Sequence, residues 1–179
     1  MNRLVDGLAV RWWKAARLDA RVFTEVATDP SALAQAALVV AVGGIARGVG
    51  AFSEEGWLGM AGSPAIGAVV WIVAAVLAWE IGARWTGVRS DFPALLRALG
   101  FAAAPLIALG GCAWLSGWPR TLWWVGCHLW ATLAFGIAVR SALDVSPVRA
   151  LVVCASALGM TLALLFAAAA VLFDAAFLD

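Results

Sequence analysis

Tyrosine is absent from this chain of 179 residues, and histidine occurs only once. One histidine, with no GxSxG, HExxH or phosphate-binding glycine-rich motif in the chain, does not supply the grouped acid, base and nucleophile of familiar hydrolases. The three cysteines, Cys112, Cys127 and Cys154, show neither CxxC nor Cys/His spacing, which argues against a disulfide framework and a zinc site. We therefore predict that the chain is not an enzyme and carries no cofactor.

Charge is scarce as well. Charged residues make up 13% of the chain, hydrophobic residues 64%, and the net charge is +1. A soluble domain of this size has too small an interior to bury so many apolar side chains. The bases are dispersed and partly matched by acids, unlike those of a nucleic-acid interface. The expected partners are membrane lipids and other membrane protein subunits or further copies of the chain, with no nucleic acid.

Five long apolar stretches are present instead, over residues 32–51, 66–85, 98–118, 121–139 and 150–173. At about 1.5 Å per residue, each is long enough as a helix to cross a hydrocarbon core of roughly 30 Å. The predicted fold is therefore all-α, a polytopic membrane bundle of five transmembrane helices within residues 31–179. Residues 1–30 precede this bundle and have a different pattern.

In residues 1–30, apolar side chains recur near helical spacing at Leu4, Leu8, Trp12, Ala15, Val22 and Val26. Bases and acids occupy the other side, which predicts an amphipathic helix. Such a helix lies either in the inner headgroup plane or packs on the ends of the spans as an ordinary solvated helix. Asp29 and Pro30 are expected to end this helix, because a proline inside a helix removes a backbone hydrogen bond and clashes with the preceding turn.

The placement of bases predicts an orientation. Ten of the twelve lie before the first span or in and beside the second and fourth connections: Arg3, Arg11, Lys14, Arg17, Arg21, Arg84, Arg89, Arg97, Arg140 and Arg149. Only Arg47 and Arg120 lie on the other side. Because segments rich in lysine and arginine stay in the cytoplasm, we expect a cytoplasmic N-terminus and a C-terminus outside. A composition rich in alanine, arginine, valine and glycine suggests a bacterial inner membrane.

Charges also occur inside the apolar stretches. Glu80 and Arg84 are one helical turn apart and are expected to pair. A charge at membrane depth marks a candidate functional site, here a small transporter or channel, although snorkelling at the span end is the structural alternative. Arg47 lies one turn from the outer end of its span, where Glu54, Glu55 or lipid phosphate would neutralise it.

His128 lies about two turns below the outer boundary of the fourth span. An imidazole at this depth either ligates a haem or a chlorophyll-type metal, which would make the protein a pigment- or haem-associated subunit, or bonds to a neighbouring helix. Gly44 and Gly48 form a small-xxx-small pair that lets another helix approach the first span closely. Pro105 removes one backbone donor and predicts a kink in the third span.

Several short runs occur in a characteristic order: Phe23-Thr24-Glu25, Asp29-Pro30, Gln35-Ala36, Leu95-Leu96-Arg97-Ala98-Leu99-Gly100-Phe101, Ala104-Pro105 and Ala142-Leu143-Asp144-Val145-Ser146. In this order they resemble the Yip domain family, five-span membrane proteins named for interaction with Ypt/Rab GTPases, in its compact prokaryotic form. The resemblance extends from about Leu18 to Phe173.

The resemblance implies an all-helical integral membrane protein that has a cytoplasmic N-terminus and associates with other membrane proteins. It supplies no catalytic residues. Eukaryotic members have a longer cytosolic region before the spans, which this chain lacks, so the resemblance does not extend to GTPase binding. The resulting hypothesis is a non-enzymatic accessory or scaffolding subunit, or an oligomer, acting through helix contacts.

Overall fold

A computed structural model describes residues 2–86 and 91–177, and within these ranges the protein is helical, with no strands. The elements are α1 (Asn2–Ala16), α2 (Ala20–Thr28), α3 (Ala32–Gly50), α4 (Phe52–Thr86), α5 (Phe92–Ala102), a 3₁₀ helix (Ala104–Trp114), α6 (Gly117–Leu143) and α7 (Pro147–Phe177). Five helical stretches are long and apolar enough to cross a membrane: α3, α4, α5 with the 3₁₀ helix, α6 and α7. The predicted all-α fold with five such helices is confirmed.

The second span is much longer than its apolar stretch, 66–85. Helix α4 begins at Phe52, so a segment expected to be an outer connection is helical. The helix changes direction at Gly56, where φ is 63°. Glycine adopts this left-handed conformation without the steric cost that a side chain would add.

The third span begins at Phe92 and ends at Trp114, earlier at both ends than the predicted 98–118. It changes from α-helix to 3₁₀ helix around Ala103, directly before Pro105, whose nitrogen has no hydrogen to donate to the preceding turn. The predicted kink is therefore a change of helix type. Long 3₁₀ helices are uncommon, and this one packs against α3 and α6.

The N-terminal region forms two helices rather than one. The chain turns at Leu18, whose φ is 63°, and Asp19 caps α2 by accepting a hydrogen bond from the backbone N–H of Arg21 at 3.0 Å. Helix α2 packs against α5 and α6 and buries Val22, Phe23, Val26 and Ala27. It is thus a packed helix of the bundle, whereas α1 keeps an exposed side.

The segments that carry most bases meet at one end of the bundle, here called the inner end. There Gly82 of α4 packs against Leu143 of α6, and the Ser141 hydroxyl donates to the Ala20 carbonyl oxygen at 3.4 Å. The opposite, outer end contains the α3–α4 turn and the turn before α6. Arg89 lies outside the described residues.

Candidate functional site

A polar cluster at the inner end is built around Arg11 of α1. Its guanidinium donates from Nε to Glu25 Oε1 at 2.9 Å, from Nη2 to Asp29 Oδ2 at 2.7 Å and from Nη1 to Gln35 Oε1 at 3.0 Å. The planar fork of arginine can bind several acceptors at once in this way. These four residues, the inner polar cluster, join α1 to α2 and to the start of α3.

Asp29 is held on its other side by Ser31. Its Oδ1 accepts from the Ser31 backbone N–H at 2.9 Å and from the Ser31 hydroxyl at 2.7 Å. The Ser31 hydroxyl and then Arg11 hold the pKa of Asp29 below its ordinary value. Burial opposes the charge on Arg11, but the hydrogen bonds that Arg11 donates to Asp29 and Glu25 outweigh it and raise the pKa of Arg11. Asp29 and Arg11 therefore form a charged pair at neutral pH.

A cleft of about 400 Å³ opens beside this cluster, between α1 and the α2–α3 junction. Gly7, Val10 and Lys14 complete its lining. This volume lies within the range of small-molecule sites in proteins. The inner cleft combines both signs of charge with an apolar rim.

Arg97 of α5 is a second polar residue at the inner end, and it is only 7% exposed. Its Nε donates to the Val26 carbonyl oxygen at 3.1 Å, and its Nη2 donates to that of Ala27. The last carbonyls of a helix lack intrahelical partners and carry partial negative charge. Arg97 therefore closes the C-terminus of α2, and among the described residues it has no carboxylate partner.

Residues that are far apart in the sequence meet at this junction. Glu25, Asp29 and Gln35 all bind Arg11, while Arg97 binds the end of α2. A Cβ on Gly100 would lie 2.6 Å from that of Ala36, so α5 and α3 touch at the backbone there. Together with Arg11, these residues join four helices, α1, α2, α3 and α5.

A second polar cluster lies at the outer end around Arg47 of α3. Its Nη2 donates to Glu55 Oε1 at 2.8 Å, and its Nη1 donates to the buried Ser63 hydroxyl at 2.7 Å. The Ser63 hydroxyl in turn donates a hydrogen bond to the Gly59 carbonyl oxygen at 2.8 Å. Arg47 is thus neutralised by Glu55 of the same chain. Its bonds to Glu55 and Ser63 connect α3 to α4.

Arg120 of α6 forms the other half of this outer polar cluster. Its Nη1 donates to Glu54 Oε1 and its Nη2 to the Gly50 carbonyl oxygen, both at 2.7 Å. A cleft of about 250 Å³ lies between the two arginines, with Leu109 and Cys112 in its wall. Two ion pairs thus connect the ends of α3, α4 and α6.

Glu80 and Arg84 form the predicted pair, with 3.3 Å between Oε2 and Nη2. Their side chains are 44% and 78% exposed, so the pair lies on the outside of the bundle. Neither cleft is lined by either residue. This geometry offers no support for a transport path through Glu80 and Arg84.

His128 bonds within its own helix rather than to a neighbouring one. Its Nδ1 is 2.9 Å from the Trp124 carbonyl oxygen, and the two rings stack with centroids 4.0 Å apart. A carbonyl oxygen only accepts, so Nδ1 carries the proton and Nε2 is the remaining acceptor. Among the described residues, no group of three or more metal-ligating side chains forms. The haem or pigment hypothesis therefore rests on Nε2 alone.

Gly44 and Gly48 allow the close helix approach that their spacing predicts, and the neighbour is α4 of the same chain. A Cβ on Gly44 would lie 2.6 Å from Pro64 Cα, and one on Gly48 would lie 2.8 Å from the Met60 carbonyl oxygen. This face of α3 is therefore occupied, so another subunit would have to bind elsewhere.

From the sequence, Arg11 and Arg120 were only markers of topology, and Arg97 was in addition part of one of the short runs. Arg97 offered a signal, since it interrupts the apolar run from Leu95 to Phe101 and a base there must find acceptors. The partners of Arg11 and Arg120 lie up to 70 residues away, beyond the reach of helical spacing. Comparison with protein-family models, curated proteins and solved structures found no match.

Proposed function

We propose that this chain is a non-enzymatic integral protein of a bacterial inner membrane, with its N-terminus in the cytoplasm and its C-terminus outside. In this proposal it acts as an accessory or scaffolding subunit, or as a small oligomer, through contacts between helices. The resemblance to the Yip family supports the same role. The charged side chains of both polar clusters are already bound within the chain, which favours a structural use for them.

The exposure of α7 is the observation that carries the proposal. Among the side chains of α7 that the structure describes, up to residue 170, Thr161 is the last buried one, and most of those that follow, including Leu162, Leu164 and Phe166, are exposed. Gly159 lies at the start of this region with open space around it. Small residues let a second transmembrane helix approach the backbone closely. The outer half of α7 is thus the surface offered to a partner.

The mass of the protein extracted in several mild detergents tests this proposal. We expect an oligomer or a stable complex with another membrane protein. Gly159→Leu should weaken that assembly, because a large side chain keeps the second helix away. Gly126→Leu is the matched control, since Gly126 lies on α6, is also exposed and also has open space around it. A monomer without any co-purifying protein in every detergent would contradict the proposal.

The orientation has its own test, because five spans place the two termini on opposite sides. Reporter fusions that are active only in the cytoplasm or only outside it should show an inside N-terminus and an outside C-terminus. Activity of both fusions in the same compartment would overturn the proposed orientation.

A further inference from the structure

One side of α1 is exposed and combines apolar with basic residues. Val10, Trp13, Lys14 and Arg17 follow the spacing i, i+3, i+4 and i+7, which places them on one side, with Arg17 directly after the last residue of α1. Val10 is 54% and Trp13 is 62% exposed. The Arg17 guanidinium lies 4.9 Å from the Trp13 ring centroid. These four residues are called the α1 face.

Among the described side chains, the acids of the adjoining segments are already bound to other groups. Glu25 and Asp29 are bound by Arg11, and Asp19 caps α2. Among the described residues, neither Lys14 nor Arg17 forms an ion pair. A mobile anion would therefore find two bases beside an exposed indole.

The inner cleft continues this surface, because Val10 and Lys14 also line it. Trp12, on the opposite side of α1, donates from Nε1 to the Ala104 carbonyl oxygen at 3.2 Å. This bond and the inner polar cluster fix α1 to the bundle. The α1 face is thus held in a constant position relative to the spans.

We propose that the α1 face binds the phosphate of an anionic phospholipid, with Lys14 and Arg17 as the phosphate ligands. Trp13 and Val10 lie against the boundary between headgroups and acyl chains, where indole and aliphatic groups are stabilised. Basic residues beside a membrane favour anionic lipids by electrostatic attraction. The inference rests on the proposed membrane location and is independent of the proposed helix partners.

Native mass spectrometry of the full chain with phosphatidylglycerol or phosphatidylethanolamine tests this site. We expect the wild type to bind phosphatidylglycerol about 30-fold more tightly, as two bases near a headgroup imply. Lys14→Gln with Arg17→Gln should remove this preference. Arg140→Gln with Arg149→Gln is the matched control, since it removes two exposed bases from the same end of the bundle and should retain the preference.

Two results would overturn the inference. One is equal affinity of the wild type for both lipids, and the other is a control variant that loses the preference for phosphatidylglycerol as fully as the Lys14 and Arg17 variant does. Thermal unfolding of each variant verifies that the bundle is intact. The same spectra give the mass of the assembly, which separates this inference from the proposed function. A monomer that prefers phosphatidylglycerol contradicts only the function, and an oligomer without lipid preference contradicts only the α1 face.

Discussion

The inner and outer halves of the bundle are held together in different ways. The inner half contains the large buried side chains, among them Phe23, Leu95, Phe101 and Leu143, packed around the closed end of α2. The outer half has a small apolar cluster of Leu109, Cys112 and Cys127. Its helices meet instead through glycine contacts and two ion pairs.

This difference follows from the lipid that surrounds the helices of a membrane bundle. Lipid tails are as apolar as leucine, so burial of apolar area drives helix association weakly in a membrane, and close packing or polar contacts must do so. The inner half adds α2, which brings large side chains and terminal carbonyls that Arg97 binds. The outer half has no corresponding helix among the described residues. We therefore expect substitutions at the inner end to lower the free energy of unfolding more than substitutions at the outer end.

The largest effect is expected from Arg97→Met. This change keeps the length of the side chain but leaves the Val26 and Ala27 carbonyl oxygens without their donors. Loss of hydrogen bonds from a charged group costs about 3 kcal/mol in the free energy of unfolding. Titration with a denaturing detergent measures this quantity. Arg149→Met, at an exposed position, should cost little, and equal losses in the two variants would contradict a closing role for Arg97.

A methyl group at the α3–α4 contact should have the next largest effect. In Gly44→Ala the new Cβ meets backbone atoms of Pro64 and Ser63, so the two helices must separate. Overpacking of this kind costs about 1–3 kcal/mol. Gly136→Ala is the control, because a Cβ there meets nothing within 4 Å and alanine favours a helix. Equal stability of the two variants would show that α3 and α4 do not depend on this contact.

The five helices could be predicted because the length and continuity of an apolar stretch are local properties. The start of α4 was missed because Ser53, Glu54 and Glu55 resemble a polar connection. In the structure these acids are compensated by Arg47 and Arg120 from other helices, so a polar segment can remain helical. A sequence pattern cannot predict a helix boundary that depends on contacts with residues of other helices.

The candidate site was predicted less completely than the fold. The spacing of Gly44 and Gly48 indicated a close helix approach, but spacing contains no information about which helix approaches. Arg11 has partners on α2 and α3 that come together only after the chain turns at Leu18, where the sequence predicted a continuous helix. From the sequence, residues could be assigned to one face of a helix. Which helix faces pack against each other could be learned only from the structure.

The Arg47–Glu55 pair at the outer end should contribute a modest coupling. Both side chains are 37% exposed, and pairs with this exposure typically contribute about 0.2–1 kcal/mol. A double-mutant cycle with Arg47→Met and Glu55→Gln measures the coupling in the free energy of unfolding. The Glu80–Arg84 pair, which is more exposed, is the reference and should give a smaller value. A larger coupling for Glu80–Arg84 would reverse our ranking of the two pairs.

The smallest expected effect is that acidic pH weakens the attachment of α1 to the bundle. Because the Ser31 hydroxyl and Arg11 lower the pKa of Asp29 below its ordinary value of 3.8, the inner polar cluster adds stability above that pH. This contribution is lost as the pH falls through the lower folded value. Hydrogen exchange of α1, corrected for intrinsic rates, should therefore become faster below the ordinary value. Asp29→Asn should make exchange faster at neutral pH and remove most of the acid dependence, whereas a wild-type response retained in this variant would assign it to another group.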